Sequence, residues 1–155
     1  MKILLDTTYL LPTIGIAIEG IPQITALNLI AEGHEIAISE ITLFELSAKG
    51  AKYVCNGRLQ PEQVTRGIRA LLYDQSIEKI PNYKSKTLLS AFKLRSNHQD
   101  FIDCLILSTA LDNCDALITE DSQIHQQKRN KQFLNLVSTI NPDFKIQRIA
   151  EFQQK

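Results

Sequence analysis

Four acidic residues have the types and spacing best suited to chemistry in this sequence, namely Asp6, Glu45, Asp103 and Asp121. Each lies just after a short apolar run or early in the helical stretch that follows one. In a parallel α/β sheet such positions converge at one edge, so acids that are far apart in sequence form a single carboxylate pocket. Carboxylates brought together repel one another unless a cation compensates, and oxygen ligands of this kind suit Mg²⁺ or Mn²⁺. The pattern therefore predicts metal-assisted hydrolysis.

Signatures of other common catalytic sites are missing from the sequence. It contains no GxSxG, HExxH or GxxxxGK[ST] motif, and Gly15, Gly20 and Gly33 form no dinucleotide-binding fingerprint. In a carboxylate site, two ions about 4 Å apart activate a water and stabilise the leaving oxygen, so no protein nucleophile is needed. The three histidines are scattered along the chain, and we assign no role to them.

Short apolar runs alternate with helical patterns, as a parallel α/β sheet requires. Strands are predicted at residues 3–5, 36–38, 116–119 and 136–140, with a strand end at 79–80. Helices are predicted after Ser39, which can cap one, from Pro61, around residues 88–94 and over residues 100–111. Because a helix that leaves the carboxyl edge of one strand runs back before the next strand begins, the acids share one rim of the sheet.

Length, charge and cysteine content limit the class of protein. The 155 residues predict one domain over residues 1–155, and no apolar stretch approaches the roughly 20 residues of a membrane span. With 17 basic and 17 acidic residues, any polyanion must be held by local patches, with Tyr83 nearby for stacking. The basic candidates are Lys79, Lys84, Lys86, Lys93, Arg95, Lys128, Arg129 and Lys131. Three cysteines without a CxxC pair favour a reducing cytoplasm, in which we expect them to be buried apolar residues.

Four sequence blocks resemble the PIN-domain ribonucleases. They are LLDTTYL at 4–10, SEITLFEL at 39–46, DCLILSTAL at 103–111 and LITED at 117–121, and they arrive in the family's order and spacing. The resemblance places the family's acids at Asp6, Glu45, Asp103 and Asp121, with the hydroxyl of Thr119 helping to hold the cluster. The likeness extends over nearly the whole chain, although residues 50–86 match no block of the family.

This resemblance implies both a fold and an activity. The fold is a three-layer α/β/α sandwich around a parallel sheet, PIN-like and therefore Rossmann-like. The activity is Mg²⁺- or Mn²⁺-dependent cleavage of single-stranded RNA phosphodiesters, most often by the VapC-type toxin of a toxin–antitoxin pair. A toxin of this kind would have a small antitoxin protein as its partner, which wraps the protein and obstructs the site, and family members commonly form homodimers.

Supporting roles are predicted for Thr7, Thr8, Asp100 and Thr119 beside the four acids. Asp100 is expected to cap its helix rather than to bind an ion directly. Each main acid also has a purely structural explanation: Asp6 as a turn residue, Glu45 as a solvated helix residue, Asp103 as a partner of the helix dipole and Asp121 as a helix cap. Glu40 and Glu120 are expected to lie outside the set of direct ligands.

Two other functional classes remain open from the sequence. In the first, the chain is a catalytically silent PIN-like module that binds RNA or a protein and keeps the acid pocket as a relic. In the second, the chain is a phosphate-handling α/β protein with an acid after its first strand. Haloacid-dehalogenase-like phosphatases need Asp-x-Asp, but Thr8 takes the second position here. Response-regulator receivers need an acid pair earlier in the chain, and residues 2–5 supply none.

Overall fold

The central strand of the sheet is β1 (Lys2–Leu5) in the computed structural model, which describes residues 1–154. Over that range the sheet has five parallel strands in the order β3-β2-β1-β4-β5. The other strands are β2 (Glu35–Ser39), β3 (Ile77–Ile80), β4 (Ala116–Ile118) and β5 (Lys145–Gln147). Leu5 is in register with Ile118, so β1 and β4 end at the same level of the carboxyl edge.

Helices connect successive strands and cover both faces of the sheet. They are α1 (Thr25–Ala31), α2 (Glu40–Cys55), α3 (Pro61–Tyr73), α4 (Ser85–Arg95), α5 (Phe101–Asn113), α6 (Ser122–Gln126), α7 (Lys131–Ile140) and α8 (Ile149–Phe152). Two 3-10 helices lie at Thr7–Ile14 and Gln127–Arg129. None of the helices in residues 1–154 has the length and apolar character that a bilayer crossing demands.

Alternate side chains of β1 enter two separate hydrophobic cores, because successive residues of a strand point to opposite faces. Ile3 and Leu5 pack with the first 3-10 helix and with apolar residues of α1, α2, α3 and α8. Leu4 packs on the other face with apolar residues of α4, α5 and α7. All three side chains are fully buried. The predicted α/β/α sandwich around a parallel sheet is therefore confirmed.

The predicted final strand at residues 136–140 is wrong, since these residues form the end of α7. Asn130 caps this helix by accepting hydrogen bonds from the amides of Gln132 and Phe133 at 2.9 and 3.2 Å. The apolar residues of the helix follow the helical period and pack on the second core, namely Phe133, Leu136, Val137 and Ile140. The strand comes later, at Lys145–Gln147, after the turn at residues 141–144.

The first 3-10 helix packs directly against α3, and Gly67 makes this approach close. A Cβ atom at Gly67 would lie 2.2 Å from the backbone oxygen of Thr13, inside any permitted contact distance. The absence of a side chain at this helical position thus allows α3 to touch the segment that begins with Thr7. This contact fixes the course of the chain as it leaves the central strand.

The cysteines differ in their surroundings. Cys104 and Cys114 are buried in the second core, as expected, whereas Cys55 is exposed at the end of α2. Burial raises the pKa of the Cys104 thiol to about 11 and that of Cys114 to about 12, so both thiols are protonated at neutral pH. The two buried cysteines therefore act as small apolar core residues.

Candidate active site

Two of the predicted acids leave adjacent strands at the carboxyl edge of the sheet. Asp6 directly follows β1, and its amide donates a 3.0 Å hydrogen bond to the carbonyl of Ile118 at the end of β4. Asp121 lies three residues beyond Ile118 and caps α6, with its Oδ1 accepting from two amides of the first turn. The parallel pairing of the two strands thus brings acids that are far apart in sequence to one rim.

A network of hydrogen bonds holds the carboxylate of Asp6. The hydroxyl of Thr119 donates to Asp6 Oδ2 at 2.6 Å, and the amide of Thr7 donates to Asp6 Oδ1 at 2.7 Å. The Thr119 hydroxyl also accepts from the amide of Asp121 at 3.0 Å. Thr119 therefore connects the two acids through one side chain, and Asp6 is only 6% exposed. Thr8, also predicted to support the acids, is partly exposed.

Glu45 lies in the second turn of α2 and reaches the same network. The hydroxyl of Thr7 donates to Glu45 Oε2, and Lys49 Nζ lies 3.0 Å from Glu45 Oε1. Lys49 is one helical turn after Glu45, and the pair is partly exposed. Ser39 precedes the helix, but its hydroxyl lies 3.4 Å from Thr109 Oγ1 of α5 and does not cap α2.

Asp103 in the first turn of α5 has a histidine partner that the sequence did not indicate. His98 Nε2 lies 3.0 Å from Asp103 Oδ2, and His98 is only 6% exposed. Arg95 Nη1 donates to the carbonyl of His98 at 3.2 Å and supports the loop between α4 and α5. Of the other histidines, His125 lies 2.9 Å from the carbonyl of Thr119.

The carboxylates influence one another electrostatically. The pKa of Asp6 is raised to about 6, mainly by burial and also by the charges of Glu45 and Asp103, while the hydrogen bonds from Thr119 and Thr7 oppose the change. Burial also raises the pKa of Asp103, helped by the charges of Asp100 and Asp121 and opposed by His98. These opposing contributions indicate a group of acids close enough to repel one another.

Asp103 and Asp121 line an open cleft of about 530 Å³. The remaining lining residues are Gln99, Asp100, Phe101 and Gln123. Asp100 is the N-cap of α5, accepting a 2.8 Å hydrogen bond from the amide of Ile102, which agrees with its predicted capping role. The cleft has room for a nucleotide-sized group, and two of the predicted acids are directly accessible from it.

The four predicted acids have oxygen donors that suit a divalent cation, but their side chains do not surround a common ion position. Within residues 1–154, no group of three His, Cys, Asp or Glu side chains is arranged around a common ion position. The donors are nevertheless all hard carboxylate oxygens, and the pKa values of Asp6 and Asp103 are raised by burial first and by the surplus of neighbouring negative charge second. A divalent cation is the ligand that would relieve this surplus.

The charge of Glu120, beside the site, is compensated. Arg148 Nε lies 3.3 Å from Glu120 Oε2, and the hydroxyl of Tyr9 donates to Glu120 Oε1. The hydroxyl of Tyr9 also accepts from the amide of Ile149 at 3.2 Å. Glu120 is therefore held by the segment after β5, consistent with the prediction that it lies outside the direct ligands.

Several basic residues predicted to hold phosphates are engaged within the protein. Lys86 Nζ lies 3.4 Å from Asp112, and Lys128 Nζ lies 4.0 Å from Glu151. Tyr83, the predicted stacking residue, is 69% exposed. The Lys128–Glu151 pair is exposed on both sides and therefore weak, so Lys128 can exchange its carboxylate for a phosphate, whereas Lys86 is paired with the buried carboxylate of Asp112.

Comparison with known proteins identifies the family. The family model described as PIN domain matches residues 3–130. Four chains of solved structures match, among them one from "Crystal structure of VapBC2 from Rickettsia felis bound to a DNA fragment from their promoter". That chain is 24% identical, with a TM-score of 0.57, and the alignment covers 85% of this chain and 95% of the other. A comparison with curated proteins gave no match. The predicted resemblance is confirmed: the chain belongs to the PIN domain family, whose members are generally nucleases.

Proposed function

We propose that this PIN domain, a single domain over residues 1–155, is a metal-dependent endoribonuclease that hydrolyses phosphodiester bonds of single-stranded RNA. The observation that carries the proposal is the buried carboxylate of Asp6, whose pKa is raised to about 6 among neighbouring acids. A buried carboxylate surrounded by further acids costs stability, and a bound divalent cation offsets that cost. Mg²⁺ and Mn²⁺ both suit the oxygen donors.

The residues proposed to hold the ions are Asp6, Glu45, Asp103 and Asp121. Bound divalent cations supply an activated water and charge stabilisation at the phosphoryl group. Asp103 and Asp121 would hold them from the cleft side, where the phosphate of the substrate enters. Asp6 would bind the ions with a carboxylate whose two oxygens are oriented by the hydroxyl of Thr119 and the amide of Thr7.

Side chains that already contact two of these acids would be displaced when a cation binds. Lys49 is paired with Glu45, and His98 with Asp103, so each acid has a partner that a divalent cation replaces. In Asp121 the cap uses only Oδ1, which leaves Oδ2 for a ligand role.

A toxin role with a small antitoxin partner is the biological setting that we propose. The neighbour of similar fold belongs to VapBC2 from Rickettsia felis, which is bound to a DNA fragment from their promoter. By analogy, this chain would pair with a small antitoxin and form a homodimer. Its cysteines, of which two are buried thiols, suit a reducing cytoplasm.

The test is cleavage of a mixed pool of single-stranded RNA in Mg²⁺ or Mn²⁺. Asp6→Asn should lose cleavage by at least a hundredfold, and EDTA should abolish it in the wild type. Asp143→Asn is the matched control, because Asp143 is an exposed acid just before β5, at the opposite end of the strands from Asp6. Equal cleavage by wild type and Asp6→Asn would refute the proposal.

A second candidate function is a catalytically silent module that binds RNA or a protein. It is favoured by the spacing of the acids, since the described residues hold no preformed three-ligand group. It is also favoured by Glu45, both of whose oxygens already have partners. RNA binding without metal-dependent cleavage would select this function over the first.

A further inference from the structure

Two phenylalanines form a stacked pair at the lip of the acid cleft. Phe101 is the first residue of α5, next to Asp100 and one turn before Cys104, and it lines the cleft. Phe92 on α4 stacks on it, with ring centroids 5.7 Å apart and an interplanar angle of 8°. Phe92 is 59% exposed, so one ring is anchored and the other presents a face to solvent.

The anchored ring makes the pair rigid. Phe101 packs against the second hydrophobic core, and the parallel arrangement with Phe92 is the offset geometry that aromatic rings prefer. A single exposed aromatic residue is common on protein surfaces, but here the exposed ring of Phe92 stacks on Phe101, which lines the cleft. The pair therefore continues the cleft as an apolar platform.

The surroundings of the platform favour a nucleotide over an apolar peptide. The other residues that line the cleft are all polar or acidic, with the side-chain amides of Gln99 and Gln123 among them. Amides can bond the edge of a nucleobase, while an aromatic face stacks on its plane.

We propose that the exposed face of Phe92, supported from behind by Phe101, stacks on a nucleobase adjacent to the phosphate that is cleaved. This inference rests on the proposed ribonuclease function and adds to it a positioning surface for the substrate. Every nucleobase has an aromatic face, so the platform raises affinity for unpaired RNA with little sequence preference. A base in a duplex is already stacked, and the platform thus selects single strands.

The test compares Phe92→Ala with wild type on RNA substrates that carry one abasic nucleotide at successive positions around the cleavage site. For intact RNA, Phe92→Ala should lower kcat/KM by about 5- to 150-fold, the range of a lost base–aromatic stack. For the substrate whose stacked base is missing, the two proteins should agree within about twofold, because the interaction is already gone. Phe92→Tyr should keep most of the wild-type rate.

Tyr73→Ala is the matched control, since Tyr73 is 71% exposed on α3, which packs on the other face of the sheet. It should leave kcat/KM unchanged. An equal loss on intact and abasic RNA, or no loss, would overturn the platform while leaving the nuclease intact. If Phe92→Ala cleaves RNA normally but self-associates more weakly than wild type, the two phenylalanines form a protein contact instead. If the wild type cleaves no RNA, the proposed function and the platform both fail.

Discussion

The buried carboxylate of Asp6 predicts that the metal-free protein loses stability as pH rises. Its pKa is about 6 in the folded protein and 3.8 in the reference state. The folded state therefore binds the proton more tightly than the unfolded state, and the stability gained from this proton is fully present below pH 3.8. It is lost as pH rises through 6. Two pKa units correspond to about 3 kcal/mol in the free energy of unfolding.

Urea unfolding in EDTA at pH 4, 5, 6 and 7 measures this effect when wild type is compared with Asp6→Asn. The asparagine does not titrate, so the free energy of unfolding of the variant minus that of the wild type should increase by about 2.4 kcal/mol from pH 4 to pH 7. This is less than the full value of about 3 kcal/mol because the carboxyl of the unfolded chain is already partly ionised at pH 4. The amide of asparagine meets donors from Thr7 and Thr119, which adds a constant cost and leaves the slope unchanged. A difference that stays constant, or falls with pH, would refute the reasoning.

Addition of Mg²⁺ distinguishes the effect of metal binding on stability from the effect of protonating Asp6. A ligand that binds only the folded state stabilises by about 2.7 kcal/mol at a concentration 100 times its dissociation constant. Protonated Asp6 is a poor ligand, so this gain should appear in wild type above pH 6, diminish below it, and be absent from Asp6→Asn. Equal stabilisation of both proteins at pH 7 would place the cation elsewhere.

Two further variants test the supporting contacts. Thr119→Val removes the hydroxyl that donates to Asp6 and should move the pH dependence of stability to higher pH, with a loss of about 1–2 kcal/mol at pH 7 in urea unfolding; an unchanged profile would contradict the proposed role of this bond. Gly67→Ala should lower the thermal midpoint by several degrees, because its Cβ would meet the Thr13 backbone oxygen at 2.2 Å, despite the better helix propensity of alanine; a higher midpoint would contradict the close packing.

The sheet could be predicted where strands are buried on both faces, because such strands are short unbroken apolar runs. β1 and β4 have this character. β5 does not, since Ile146 is the one fully buried residue among its three. The sequence favours a strand at residues 136–140 because they contain β-branched side chains, while the asparagine cap that begins the helix lies several residues earlier. A short edge strand such as β5 has too few apolar residues to be recognised in the sequence when a segment with β-branched residues precedes it.

The location of the acids could be predicted from topology, but their contacts required the folded chain. Strand ends at one edge follow from the direction of βαβ units, which suffices for Asp6 and Asp121. The pairing of Glu45 with Lys49 was also available from sequence, as an acid four residues before a lysine on one helix. The contact of His98 with Asp103 was not, because it depends on how the loop between α4 and α5 closes.

The segment after the matched family region contributes a charge that compensates Glu120, the neighbour of Asp121 in the chain. The family match ends at residue 130, whereas Arg148 lies beyond it and pairs with Glu120. Without this guanidinium, Glu120 would carry an uncompensated charge next to Asp121 in the chain. Tyr9 fixes the arrangement by donating to Glu120 and accepting from the amide of Ile149. The chain after β5 therefore does more than complete the sheet, since it holds Glu120 in place and pairs with its charge.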